Sequence, residues 1–363
     1  MRAVTGAAGF LGREIVRSLL RQGVDRIRCL VRPGTAAARV AIPEAEARGA
    51  VIEVVPCRLD DPAALRQALA GVRVLYHAAA AKKGAPAALV QATVVASDHV
   101  FRAALEARVE RVVLVSSFGA MGVAALPRGA VVDEDAPLEP APEARDAYSF
   151  AKQRQEALAW RYARRDGLPL AVIRPGVVIG PGQEILGTRI GLPVLGLYLH
   201  LGGRNPVPLT WVENCADAIA LAGTAPGAAG RALCVVDDDL PTAGALLDRY
   251  RREVAPLRVL RVPYPLLRVL ARANAWYADR TQGHLPALLT PYKVASTWKR
   301  QRYSNARARA VLGWAPRVAM REALDRTFAA LAAAPERPVS LPRPRPAGAR
   351  APAAGGAAAE VAP

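Results

Sequence analysis

Tyr148 and Lys152 stand four residues apart in the run Ala147-Tyr148-Ser149-Phe150-Ala151-Lys152. On a helix that spacing puts a phenol and an ammonium on one face. A free tyrosine ionises near pH ~10 and is a poor base at neutral pH, whereas a cation beside it favours the phenolate. The chemistry on offer is proton transfer by a phenol. Ser116 and Ser117 close an apolar run further back in the chain, where Ser117 is placed to hydrogen-bond a substrate hydroxyl and hold it against Tyr148. Near the first residue, Thr5-Gly6-Ala7-Ala8-Gly9-Phe10-Leu11-Gly12 carries three glycines three apart. A glycine turn that opens a helix leaves backbone amides bare, and such a helix start takes phosphate. Gly6 suits a positive φ, Gly9 keeps the approach to a pyrophosphate clear, and Gly12 lets the helix pack closely on its strand.

Each signal has a plainer reading when taken singly. Tyr-x-x-x-Lys is also the pattern of a solvated helix face, and two serines before Gly119 also cap a turn. A nucleophilic serine is disfavoured: no Gly-x-Ser-x-Gly elbow surrounds Ser117, and His77, His99, His200 and His284 show no placement that marks a base.

The elements that must position these residues alternate. β-type runs are expected at Arg2–Thr5, Arg26–Val31, Val51–Val55, Val72–His77, Arg111–Ser116 and Leu170–Arg174. Helices are expected at Leu11–Gln22, Pro62–Ala70, Ala87–Ala107 and Ala147–Asp166, the last ended by Gly167-Leu168-Pro169. Near-continuous Val/Leu/Ile strands alternating with helices imply an α/β fold with a doubly wound parallel sheet, buried on both faces. Such sheets bind ligands at the carboxyl ends of their strands, where the Gly-rich turn and Ser117 both fall. After residue 175 proline and glycine become frequent and the pattern loosens. We read residues 1–175 as a dinucleotide-type domain with later segments interleaved, 176–333 as a smaller substrate lobe, and 334–363, rich in Pro and Ala, as a disordered tail.

Composition excludes several classes. With 52% apolar residues in 363 a sizeable core forms, yet no apolar run is long enough to span a bilayer. The first strand starts almost at Met1, which leaves no room for a signal peptide, and a cytoplasmic setting is expected. Cys29, Cys57, Cys215 and Cys234 are scattered without a Cys-x-x-Cys pair or a Cys/His cluster, so no disulfide framework and no metal site is expected. The formal charge of +18 is spread over every helix, with only 5% aromatic residues, so a nucleic-acid partner is not expected. In Pro256–Tyr277, Arg258, Arg261, Arg268 and Arg272 punctuate Leu, Val, Tyr and Trp. A basic amphipathic helix of that kind can lie on a membrane surface; the favoured reading is an ordinary lobe helix with snorkelling arginines.

In this order and spacing the chain resembles the extended short-chain dehydrogenase/reductase superfamily, in its NAD-dependent epimerase/dehydratase family. Further matches are Leu59-Asp60-Asp61-Pro62, Tyr76-His77-Ala78-Ala79, Arg174-Pro175-Gly176-Val177 through Gly180-Pro181, Val212-Glu213-Asn214-Cys215-Ala216-Asp217-Ala218 and Leu312-Gly313-Trp314-Ala315-Pro316. The Arg-Pro-Gly run with an apolar follower is similar to the 3β-hydroxysteroid dehydrogenase-like branch. The resemblance implies a Rossmann-type domain and an oxidoreductase working on a secondary alcohol or ketone with NADP or NAD. It implies that Gly6, Gly9 and Gly12 hold the pyrophosphate with the amides of Phe10 and Leu11, and that Ala78 and Ala79 line the ribose side. Lys152 would bind the nicotinamide ribose and lower the pKa of Tyr148, the proton carrier; Ser117 would orient the reacting oxygen, and Pro175, Gly176 and Val177 would border the nicotinamide. Relatives commonly pair through the two long helices, which implies a homodimer.

Departures refine this. Arg32 ends the second strand where an acidic residue would hold a ribose 2′-hydroxyl, which tilts the cofactor toward NADP. Arg58 replaces the usual adenine-contacting Asp, leaving adenine to Leu59 and backbone, and Thr93 stands where many relatives carry Asn. Val177 replaces a substrate-binding Asn of sugar-nucleotide enzymes, and Phe118-Gly119 replaces the Asp-Glu pair of dehydratases. The substrate expected is a small molecule, either a sugar nucleotide or a bulky apolar alcohol. The alternatives to a dehydrogenase are an epimerase with recycled cofactor and a non-catalytic dinucleotide-binding module.

Overall fold

A computed structural model describes residues 1–36, 39, 40, 42–47, 49–281 and 289–334; the expected tail lies, from residue 335 on, outside them. Its first half runs β1 (Arg2–Thr5), α1 (Phe10–Arg21), β2 (Arg26–Val31), α2 (Glu44–Ala47), β3 (Val51–Pro56), α3 (Pro62–Leu69), β4 (Val74–His77), α4 (Pro86–Val90), α5 (Ala96–Glu106), β5 (Arg111–Val115), β6 (Val131–Val132), α6 (Ala147–Asp166) and β7 (Leu170–Pro175). The second half runs β8 (Val177–Ile179), β9 (Gly191–Val194), β10 (Leu197–His200), β11 (Leu209–Trp211), α7 (Val212–Ala222), β12 (Ala232–Val235), α8 (Ala243–Glu253), β13 (Val259–Arg261), α9 (Tyr264–Arg280), α10 (Pro291–Trp298), β14 (Arg302–Tyr303), α11 (Ala306–Leu312) and α12 (Met320–Ala333).

Seven parallel strands form the main sheet in the order β12-β7-β5-β4-β1-β2-β3. Alternate residues serve opposite faces. Val4, Val113 and Ile173 pack with α1 and α7 on one side; Ala3, Leu75, Val112 and Leu114 pack with α3, α5 and α6 on the other. The chain leaves β1 toward β2 and β3, then returns to β4 on β1's other side. That reversal opens a crevice between the carboxyl ends of β1 and β4.

β12, far beyond residue 175, adds the seventh strand beside β7. Two details differ from the sequence reading. α7, expected in the substrate lobe, lays Cys215, Ala216 and Ile219 on the main sheet's core beside α1. The single helix expected at Ala87–Ala107 is interrupted by a π turn at Gln91–Val95, where the Ser97 hydroxyl donates to the Thr93 carbonyl at 2.5 Å. The helix expected at Ala147–Asp166 has those bounds and ends on Gly167 at φ 70. The lobe has its own core around Trp211, Tyr250 and Phe328, and a small sheet of order β13-β10-β9.

Candidate active site

The Gly-rich turn is built by close backbone approach. Gly6 sits at φ 70, and a Cβ there would come within 3.0 Å of the Ala79 backbone. The turn after β1 therefore lies against the Ala78-Ala79 segment after β4, across the crevice. A Cβ on Gly12 would lie 2.0 Å from the Gly6 carbonyl oxygen, so this glycine lets α1 pack on the turn, not on the strand as expected. No side chain caps α1, and its first turn holds no acid. The amides of Phe10, Leu11 and Gly12 are aimed outward with the positive end of the helix dipole behind them. A cradle without side chains and a donor set without a competing carboxylate fit a dinucleotide's diphosphate. The Phe10 ring presses on Gly180, where a Cβ would lie 2.8 Å from its Cζ, and this ties the turn to the segment after β7. Pro175, Gly176 and Val177 cross there from the main sheet to β8, with Val177 donating to the Pro208 carbonyl at 2.6 Å. Arg32 and Leu59 lie apart, after β2 and β3. Arg32 is exposed, and Arg58 pairs at 2.7 Å with Asp60.

Asp146 caps α6, accepting from the Ser149 amide at 3.0 Å and its hydroxyl at 2.7 Å. This fixes the first turn, which holds Tyr148 beside the 3-10 turn Phe118–Ala120. Burial raises the Tyr148 phenol above its ordinary value, a hydrogen bond with Ser117 lowers it, and Asp146 raises it. Lys152 does not figure among these influences. Its ammonium turns inward, donating to the Val115 carbonyl at 2.6 Å and to Gln155 Oε1. Burial brings Lys152 itself down to about 7, against the pull of Glu156 and with a smaller push from Lys82.

Behind Lys152 runs a buried chain of polar groups. Gln155 Nε2 donates to Ser97 Oγ at 2.7 Å, Ser97 meets His77 Nε2 at 2.8 Å, and His77 Nδ1 meets Thr5 Oγ1 at 2.7 Å. His77 is driven down to about 3 by burial and by Lys152, so it stays neutral and acts as a hydrogen-bonding link. Thr5 accepts from the Ala79 amide at 3.3 Å. The chain therefore joins the lysine to the crevice beside the Gly-rich turn. Sequence reasoning missed Gln155, Ser97 and His77; only the three-residue step from Lys152 to Gln155 was a usable signal.

A second buried group fixes α6 to the sheet. Glu156 accepts from Arg174 at 2.7 Å, from Ser116 at 2.5 Å and from Trp160 at 3.1 Å. The arginine of Arg-Pro-Gly is therefore a clamp, and Ser116 belongs to that clamp, whereas Ser117 Oγ accepts from the Gly119 amide at 3.0 Å. Asn214 is a clamp as well. It donates to Asp237 and to the Val318 carbonyl, both at 2.8 Å, and accepts from the Arg317 and Val318 amides. All four cysteines are free and buried, and no metal-ligand cluster occurs among the described residues.

Residues 3–233 match the family model described as the NAD dependent epimerase/dehydratase family. The chain belongs to this family. It is an NAD(P)-dependent enzyme with the family's α/β fold, and its relatives are reductases among others. It is 33% identical over 243 residues to cinnamoyl-CoA reductase 1 of Petunia hybrida, covering 64% of this chain and 71% of that one. It is 28% identical over 343 residues to the 2-alkyl-3-oxoalkanoate reductase of Stenotrophomonas maltophilia (strain K279a), covering 91% and 99%. Among solved structures, gox2253 is similar with a TM-score of 0.74 and 27% identity, over 91% of this chain and 97% of that one. No described helix is long and apolar enough to cross a membrane.

Proposed function

We propose that this member of the family reduces a ketone on a bulky apolar small molecule. Ser117 and Tyr148 serve the reacting oxygen, and Lys152 stands behind them. The observation that carries this is the placement of Tyr148 in the first turn of α6, an element packed on the turn that follows Ser117, with Lys152 one helical turn further on. A phenol is protonated at neutral pH and can give that proton to an oxygen on which negative charge develops. As hydride arrives at the carbonyl carbon, charge develops on the oxygen. Ser117 Oγ donates a hydrogen bond to that oxygen and Tyr148 Oη delivers the proton, which makes the secondary alcohol. The bound nicotinamide supplies the hydride. Lys152, held by Val115 and Gln155, supplies positive charge as the phenolate forms and is placed for the cofactor's ribose. Gly6, Gly9 and Gly12, with the Phe10 and Leu11 amides, hold the diphosphate; Ala78, Ala79, Pro175, Gly176 and Val177 flank the ring and ribose. Leu59 serves adenine, and Arg32 favours a 2′-phosphate, hence NADP.

Apolar Val177 and the Phe118-Gly119 pair support a reductase over a sugar-nucleotide epimerase or dehydratase, as does the similarity to the two reductases named above. The test is cofactor consumption with apolar 3-oxo compounds. Stoichiometric loss of reduced cofactor, abolished in Tyr148→Phe with cofactor affinity retained, is the expected result. Substrate turnover without net cofactor loss would assign epimerisation, and cofactor binding without any turnover would assign a binding module.

A further inference from the structure

Among the described residues thirteen large apolar ones are exposed, and nine of them fall on the β9–β10–β13 sheet, its β9–β10 turn and α9: Val194, Leu195, Leu197, Leu260, Leu266, Val269, Leu270, Trp276 and Tyr277. They form one apolar region. α9 buries Leu267, Ala271 and Ala278, and the first two of these pack with Leu192 and Leu199 of the sheet. Leu260 pairs with Leu199 and Val194 with Leu197, so these side chains lie on the α9 side of the sheet. Along α9, Leu266, Leu270, Ala273 and Tyr277 recur at the spacing of a single stripe, and all four are exposed. Val269 and Trp276, at 59% and 57% exposure, stand opposite the buried seam. The β9–β10 turn presents Leu195 at 88% exposure with φ 47, followed by Gly196 at φ 79. A two-residue turn with both φ values positive favours Asn-Gly. A leucine there is strained and displays its whole side chain to the outside.

The flank of this region is basic. Arg128, Arg268, Arg272 and Lys299, with Tyr264, line a cavity of about 430 Å³ that has no acidic wall. Arg268 and Arg272, four apart, give α9 a cationic edge. Lys299 donates to the Ala124 carbonyl; the three arginines show no carboxylate partner among the described residues, whereas nearby Arg261 and Arg249 are paired with Asp248 and Glu253. Four like charges around one cavity call for an anion. Arg280 stacks on the Trp276 ring at 4.5 Å, a cation–aromatic pair that suits a headgroup layer.

We propose that this face docks the protein on an anionic lipid bilayer. Leu195, Leu266, Leu270 and Trp276 enter the boundary between headgroups and acyl chains, and the cavity cations meet lipid phosphates. Apolar side chains rimmed by unpaired cations are the chemistry of an interfacial helix. This reverses the sequence-based preference for an ordinary lobe helix; the reason is exposure, since the apolar stripe that such a helix would bury lies outside.

The test is co-sedimentation of the full chain with vesicles of phosphatidylcholine alone and of phosphatidylcholine with phosphatidylglycerol. Binding to the anionic vesicles is expected to be about tenfold tighter or more, and to weaken with salt. Arg268→Glu with Arg272→Glu should remove about tenfold or more of that binding, and Leu195→Ser with Leu270→Ser should lower it with the salt dependence kept. Thermal melting checks that each variant remains folded. Trp276 emission should shift to the blue on anionic vesicles and not on neutral ones. Absent or composition-independent binding would overturn the proposal. So would wild-type binding by the charge-reversed variant, or a concentration-dependent dimer that these substitutions dissolve.

Discussion

The ground beneath α6 and the outer face of α9 are built on opposite terms. Under α6, charged and polar side chains are buried and mostly paired: Glu156 with Arg174 and Ser116, Lys152 with Val115 and Gln155, His77 with Thr5 and Ser97, while Arg174 Nη1 and Gln153 Oε1 have no partner among the described residues. On α9, apolar side chains are exposed, and the arginines of the adjoining cavity have no carboxylate partner among the described residues. A buried polar group without a partner is costly, so such a network holds one geometry. An exposed apolar face is held by nothing and is free to meet something else. The first arrangement suits proton transfer at a fixed distance; the second suits contact with a surface.

Substitutions can break this contrast at graded cost. Tyr148→Phe keeps the packing and removes the proton; we expect turnover to fall by roughly a hundredfold to ten-thousandfold, read by steady-state kinetics, with cofactor affinity nearly unchanged. Glu156→Ala strands the Arg174 guanidinium inside the sheet and should cost about 3–5 kcal/mol, read by denaturant unfolding. A loss below about 1 kcal/mol would show the clamp to be dispensable.

Lys152→Met probes the same network through pH. The lysine's folded pKa, about 7, lies below the ordinary 10.5, so the unfolded chain binds more protons between those values and wild-type stability rises with pH across that window. The charged form is penalised in full below about pH 7. Relative to wild type, the variant should therefore gain on the order of 2 kcal/mol on going from pH 9 to pH 6. A pH-independent difference would mean that the lysine titrates normally.

Smaller effects belong to the periphery. Arg32→Ala should raise the KM for NADP about tenfold, worth about 1.4 kcal/mol, and leave that for NAD nearly unchanged; equal effects would remove the NADP preference. Leu270→Ser on α9 should change stability by less than about 0.5 kcal/mol. A cost of 2 kcal/mol or more would mean that this face is core, and the contrast would fail.

Legibility followed the same division. Where a residue's task is local, its type and spacing expressed it. Gly6 and Gly167 hold the positive φ values their turns require, Pro62 sits at the start of α3, and α6 runs between its capping Asp146 and Gly167. Where the task joins distant elements, the sequence was mute. Glu156 carried no signal on its long helix, and Arg174 read as the end of a strand and the start of the Arg-Pro-Gly match. Ser97 gave no signal at all. The small β9–β10–β13 sheet was invisible too, because its strands are short and interleaved with turns.

The sequence by itself determined the alternating α/β frame, the Gly-rich turn that opens α1, and the placing of Tyr148 and Lys152 on one helix, because these follow from backbone conformational limits and helical period. The tertiary structure decided which groups touch. It assigned Ser116 to Glu156, turned Lys152 inward onto Val115 and Gln155, and left the apolar stripe of α9 outside. Each of these depends on what surrounds a side chain once remote segments pack. Desolvation and pairing act over a few ångströms of space, whatever the distance along the chain.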